Sequence, residues 1–159
     1  MNTALSPRLA LALLVLLGGP AAAQPVPGLW ERRFTAFLAD PVSGEPKPWA
    51  EPAQQRCMSE AELRKLPFLS AAASKASYES NGSSCTVSDE ARSGARVSWS
   101  LQCREKDGRK AQMRVSVEAS AEQIVSTSRL ALEDRAPGAS DVHAEIRMQR
   151  LGACDVGKP

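Results

Sequence analysis

The chain of 159 residues is 43% hydrophobic but only 4% aromatic, and it carries 20 basic and 18 acidic residues. Those figures suit one domain and exclude both a multi-domain enzyme and a fully disordered chain. A formal net charge of +2 argues against nucleic acid as a partner.

Residues 1–23 read as a cleavable signal peptide. Arg8 supplies a positive start, Leu9–Leu17 forms a nine-residue apolar run, and Gly18-Gly19-Pro20 ends it. Ala21-Ala22-Ala23 offers the small residues of a cleavage site, so the predicted cut follows Ala23. The run is too short for a transmembrane helix, which takes about 20 residues, and no stable membrane insertion is expected after cleavage. The first cysteine is Cys57, far beyond the apolar run, which argues against a bacterial lipid anchor. The expected location is periplasmic or secreted, with residues 24–159 forming one β-rich domain.

Leu29–Leu38 is rich in strand formers and follows the Pro25-Val26-Pro27-Gly28 breaker, so it predicts a first strand. Residues 39–53 contain Pro41, Pro46, Pro48 and Pro52 and read as a loop, because proline cannot donate to a sheet ladder. Trp49 lies inside that loop. Its plainer reading is a residue folded onto the edge of the core; its functional reading is an exposed recognition aromatic.

Ser59 followed by Glu62 is a capping box, and Pro67 limits the helix it starts to about Glu60–Leu66. Residues 70–84 are small and polar and read as a loop with at most a helical fragment. Asn81-Gly82-Ser83 matches a glycosylation sequon, which matters only in a eukaryotic source.

From Cys85 onward the chain predicts a meander of short strands over 84–91, 96–103, 111–119, 123–133 and 142–151. Asp107-Gly108 and Ser93-Gly94 are the turn signals. Val97, Trp99, Leu101 and Cys103 alternate onto one face, with Ser98, Ser100 and Gln102 opposite. In the last strand Val142, Ala144, Ile146 and Met148 alternate against His143, Glu145, Arg147 and Gln149. Alternation in the third and fourth strands of the meander is irregular.

Four cysteines in an exported domain point to two disulfides. Their spacings of 28, 18 and 51 residues contain no C-x-x-C pair, so zinc is not expected. If Ser93-Gly94-Ala95 is a three-residue loop, Arg92 pairs with Arg96 and Cys85 falls opposite Cys103. Directly opposed side chains approach to about 4.5–5.5 Å, close enough to favour that bridge. Cys57 and Cys154 are left for the second.

No catalytic constellation stands out. Gly152–Lys158 matches the start of a phosphate loop, but Pro159 follows where Ser or Thr is required. No G-x-S-x-G elbow occurs. The single histidine, His143, alternates onto a polar strand face and reads as solvated. Seven basic residues between Asp89 and Arg114 cluster at two hairpin ends; solvated turns explain them more simply than an anion-binding patch.

Several features coincide in order and spacing: Pro27-Gly28-Leu29-Trp30-Glu31, Cys57-Met58-Ser59, Ser84-Cys85, Val97-Ser98-Trp99, Leu101-Gln102-Cys103 and Leu151-Gly152-Ala153-Cys154. In this set the chain resembles the exported bacterial proteins of domain-of-unknown-function family 3617. The resemblance implies a small β-rich periplasmic domain with paired cysteines and assigns no activity. Arg32-Arg33 and the proline-rich segment depart from the pattern.

The expected fold is therefore mainly all-β: an antiparallel meander of six or seven strands, curled toward a partial barrel, with one short helix. The expected function is non-enzymatic, without cofactor or metal: the binding of a small apolar ligand or association with an envelope protein. The alternative is an inhibitor or structural accessory that binds a partner through exposed loops, Trp49 above all. A hydrolase is the reading with least support.

Overall fold

A computed structural model describes residues 24–39, 43, 45–132 and 141–154. The proposed signal peptide, 1–23, lies outside the described residues.

Among the described residues ten elements follow in order: β1 (Gly28–Ala39), β2 (Pro46–Ala50), β3 (Gln54–Met58), α1 (Glu60–Arg64), α2 (Ala71–Ser80), β4 (Ser84–Ser93), β5 (Arg96–Arg104), β6 (Lys110–Ala119), β7 (Gln123–Leu132) and β8 (Val142–Gly152). The eight strands form one antiparallel sheet in the order β2-β1-β8-β7-β6-β5-β4, with β3 also on β1. Among the described residues it has β2 and β3 along one edge and β4 at the other, and it does not close into a barrel. The meander runs from β4 to β8, and β8 then pairs with β1, joining the two ends of the domain.

β1 organises this arrangement by being long. Its C-terminal half pairs with β2, its N-terminal half with β3, and its other edge with β8. Residues 46–50 are thus a strand rather than the expected loop. Pro46 and Pro48 are tolerated because, among the described residues, β2 pairs only with β1, at the sheet edge where no second ladder needs their N–H.

Residues 71–80 are a full helix, also against expectation. Ser70 caps it, its hydroxyl accepting from the Ala73 N–H at 3.1 Å. Three alanines open the helix with the strongest intrinsic preference. Only Ala71 and Ser74 are buried, so no apolar stripe marks it in the sequence. Helix α1 closes near the expected length, with both hydrogen bonds of the Ser59–Glu62 capping box formed.

The β4–β5 hairpin corrects the expected register. Its loop is the two-residue Gly94-Ala95, so Arg92 pairs with Val97 rather than Arg96. A bulge between Ser88 and Ala91 then brings Cys85 opposite Cys103. Cys85–Cys103 and Cys57–Cys154 are the disulfides. The first lies in the core; the second ties β3 to the chain just beyond β8.

Both helices lie on one face of the sheet. Helix α2 rests on β4 and β5. Beneath the helical segment, Leu63, Phe68, Leu69 and Tyr78 pack with Trp99, Leu101, Val115 and Val117. The expected inward set of β5 is confirmed, and Met148 of β8 is buried on the same face.

Candidate functional site

Helix α2 covers only part of the inner face. Over β6, β7, β8 and β1 that face opens into a groove of about 620 Å3. The cause lies in the cross-strand rows. One row reads Trp99, Val115, Ser128, Ala144, Ala36 across β5-β6-β7-β8-β1; the next reads Val97, Val117, Ser126, Ile146, Phe34. Large side chains fill the β5 end beneath the helix. Ser126, Ser128 and Ala144 are too small to fill the space above β7 and β8. Interiors pack densely unless a shape is left open, and here the open shape faces the helix wall.

The groove floor combines Val115, Ser126, Ser128, Ala144, Ile146 and Met148. Trp30 and Phe34 of β1 form one side, while Phe68, Ser77 and Tyr78 form the other. The Tyr78 hydroxyl lies 3.3 Å from the Met113 sulfur. Burial raises the Tyr78 pKa, and the negative charge of Glu105 adds to the shift, so the phenol stays neutral. Ser74 turns its hydroxyl to the Pro67 carbonyl, which holds the α1–α2 connection against the helix.

Arg32, Gln54 and Arg56 stand at the mouth, and among the described residues no aspartate or glutamate lines the groove. Arg32 occupies an inner-face position, opposite Met148 on β8 and Gln54 on β3. Its guanidinium lies 5.7 Å from the Phe34 ring centre and 3.5 Å from Glu51. Arg56 pairs with Glu62. The Glu62 carboxylate is also bound by the Ser59 N–H at 2.9 Å and the Ser59 hydroxyl at 2.8 Å.

The residues singled out by sequence lie elsewhere. Trp49 is on β2, is 52% exposed, and sets its ring edge-on to Phe34 at 5.8 Å. It stands beside the groove rather than within its lining. His143 is exposed on the outer face, near Arg114 and Arg129. Basic residues at the hairpin ends pair locally, Arg96 with Glu118 and Arg109 with Asp107. Among the described residues no cluster of His, Cys, Asp and Glu could hold a metal.

Sequence reasoning missed the groove, although its signal was present. The irregular alternation of β7 is the run of serines at 126 and 128, placed where large apolar residues would make a filled core.

The family model for "Protein of unknown function (DUF3617)" matches residues 25–154. No curated protein and no solved structure shows a significant match.

Proposed function

Because the chain belongs to the DUF3617 family, which carries no assigned activity, we propose that it is an exported, non-enzymatic protein that binds a small apolar ligand in the groove beside α2. The observation that carries this reading is the groove itself. Its volume falls in the range of about 300–1,000 Å3 usual for small-molecule sites, and its lining is mainly apolar, with serine hydroxyls on the floor and helix side and charged groups at the mouth. Two disulfides and the leader-like pattern of residues 1–23 support export.

The test uses protein purified without detergent. Its organic extract, analysed by mass spectrometry, is expected to contain a stoichiometric small molecule. The ligand-free protein is expected to bind the neutral fluorescent probe N-phenyl-1-naphthylamine. Ser128→Leu fills the floor and should abolish probe binding while leaving the thermal transition in place. Probe binding that survives Ser128→Leu would place the ligand elsewhere, and no binding by the wild type would end the proposal.

A second reading draws on Leu38 and Trp49, which leave large apolar surfaces exposed on one face where β1 meets β2. Such a patch suits an envelope protein partner. Capture of a defined partner by the wild type, lost on Trp49→Ala with the groove probe still binding, would favour this reading.

A further inference from the structure

We infer that the groove's ligand is a single-chain amphiphile with one anionic head, a fatty carboxylate by class, whose head sits on Arg32. The inference rests on the groove reading above. A purely apolar ligand needs no charge at its site, yet β1 carries arginine between Trp30 and Phe34 on the inner face. The Arg32 side chain is 34% exposed, so its guanidinium gives up part of its hydration, and a charged partner at the mouth would offset that cost.

The partners present do not saturate it. Among the described residues Arg32 has the Phe34 ring and one carboxylate contact, to Glu51 at 3.5 Å. The guanidinium fork offers five N–H donors in a plane suited to bidentate carboxylate binding, so most of it is left for a ligand.

Charge at the mouth points the same way. Arg56 stands near the same opening, and among the described residues the groove is lined by two guanidinium groups and no carboxylate. Glu51 and Glu62 partly offset these charges from outside the lining. Glu62 divides its carboxylate between Arg56 and the two Ser59 donors. With the head on Arg32, an alkyl chain runs over Met148 and Ile146 toward Val115 and Phe68. A cationic amphiphile would meet like charge, and a neutral one would leave most donors of the Arg32 fork unused.

Displacement of bound N-phenyl-1-naphthylamine at neutral pH distinguishes these cases. Laurate, dodecanol and dodecylammonium share one chain length and differ in the head. Laurate is expected to displace the probe at a concentration lower by about tenfold or more than dodecanol, the effect of a charge-assisted hydrogen-bond pair. Dodecylammonium should be the weakest. Arg32→Gln should bring laurate to the level of dodecanol when the two are compared within that variant, and Glu51→Gln should strengthen laurate by freeing the fork. Equal displacement by laurate and dodecanol, or a laurate preference that survives Arg32→Gln, overturns the carboxylate assignment while leaving the groove reading intact. Failure of the wild type to bind the probe overturns both.

Discussion

Cys85 faces Cys103 across β4 and β5, with Cα atoms 4.1 Å apart, because a short turn and a bulge cancel. The Gly94-Ala95 turn pairs Ser93 with Arg96; continued without interruption, that register would set Cys85 opposite Arg104. Asp89 and Glu90 together oppose Trp99, and this extra residue shifts the strand by one. Asp89 takes a φ of 54°, a conformation that Asp tolerates better than most residues. A one-residue slip in a strand turns every side chain to the other face, so the bulge decides whether Cys85 enters the core.

Two deletions test this relationship. Removing Glu90 should absorb the bulge and keep Cys85 opposite Cys103. Removing Thr86 should move Cys85 opposite Gln102 and onto the outer face. Thiol titration of the denatured proteins should find no free thiol in the first and two in the second. Thiols released by the Glu90 deletion would contradict the register. The double variant Cys85→Ala/Cys103→Ala should lose about 3 kcal/mol of stability, the loop-entropy value for a bridge of this span.

The two buried tryptophans differ in one hydrogen bond. Each is 1% exposed. The Trp30 indole N–H donates to the Val26 carbonyl at 3.1 Å, whereas the Trp99 indole N–H has no partner among the described residues. Trp30→Phe removes a bond; Trp99→Phe removes an unsatisfied donor. Urea midpoints should show Trp99→Phe to be the milder change, by about 1 kcal/mol. The reverse order would show that the Trp99 N–H is satisfied.

Gly28 is where β1 passes closest to the end of β8. Its φ is 153°, and a Cβ there would lie 2.3 Å from the Gly152 carbonyl oxygen and 2.6 Å from the Arg150 Nε. Gly94 also has a positive φ, but a Cβ there meets nothing within 4 Å. Gly28→Ala should therefore cost clearly more than the roughly 1 kcal/mol expected of backbone strain alone at Gly94→Ala. Equal thermal shifts for the two variants would refute the close approach.

Glu62 links helix α1 to pH. The Ser59 N–H first, the Ser59 hydroxyl next, and Arg56 more weakly hold the Glu62 carboxyl below its ordinary range. The folded pKa lies below the unfolded one, so this contribution is present above the unfolded value and is lost as pH falls through the folded value. NMR titration should find the Glu62 pKa depressed in the wild type and higher in Ser59→Ala, which keeps the N–H but loses the hydroxyl. That variant should also lose about 1 kcal/mol from its missing cap. An unchanged Glu62 pKa in Ser59→Ala would rule out the hydroxyl as a cause.

Much of the fold was legible because its signals are local. The alternation of β5 and β8, the Asp107-Gly108 turn and the Ser59–Glu62 capping box depend on neighbours a few residues away. The misses share the opposite property. β2 looks like a loop until β1 is seen to pair with it. Helix α2 has no apolar stripe, since small residues suffice where it touches the sheet. The expected count of six or seven strands and one helix fell short at these two elements and at β3.

The sequence by itself determined β1 and the strands of the meander, which face of β5 is apolar, and that the four cysteines pair. It also carried the serines of β7 and the arginine of β1, but not their meaning. Only the tertiary structure decided that Ser126, Ser128 and Ala144 lie side by side, that α2 stops short of covering them, and that Arg32 looks onto the space they leave. A cavity is a property of several strands at once: each small residue is unremarked in its own segment, and volume goes unfilled only where the sheet brings them together.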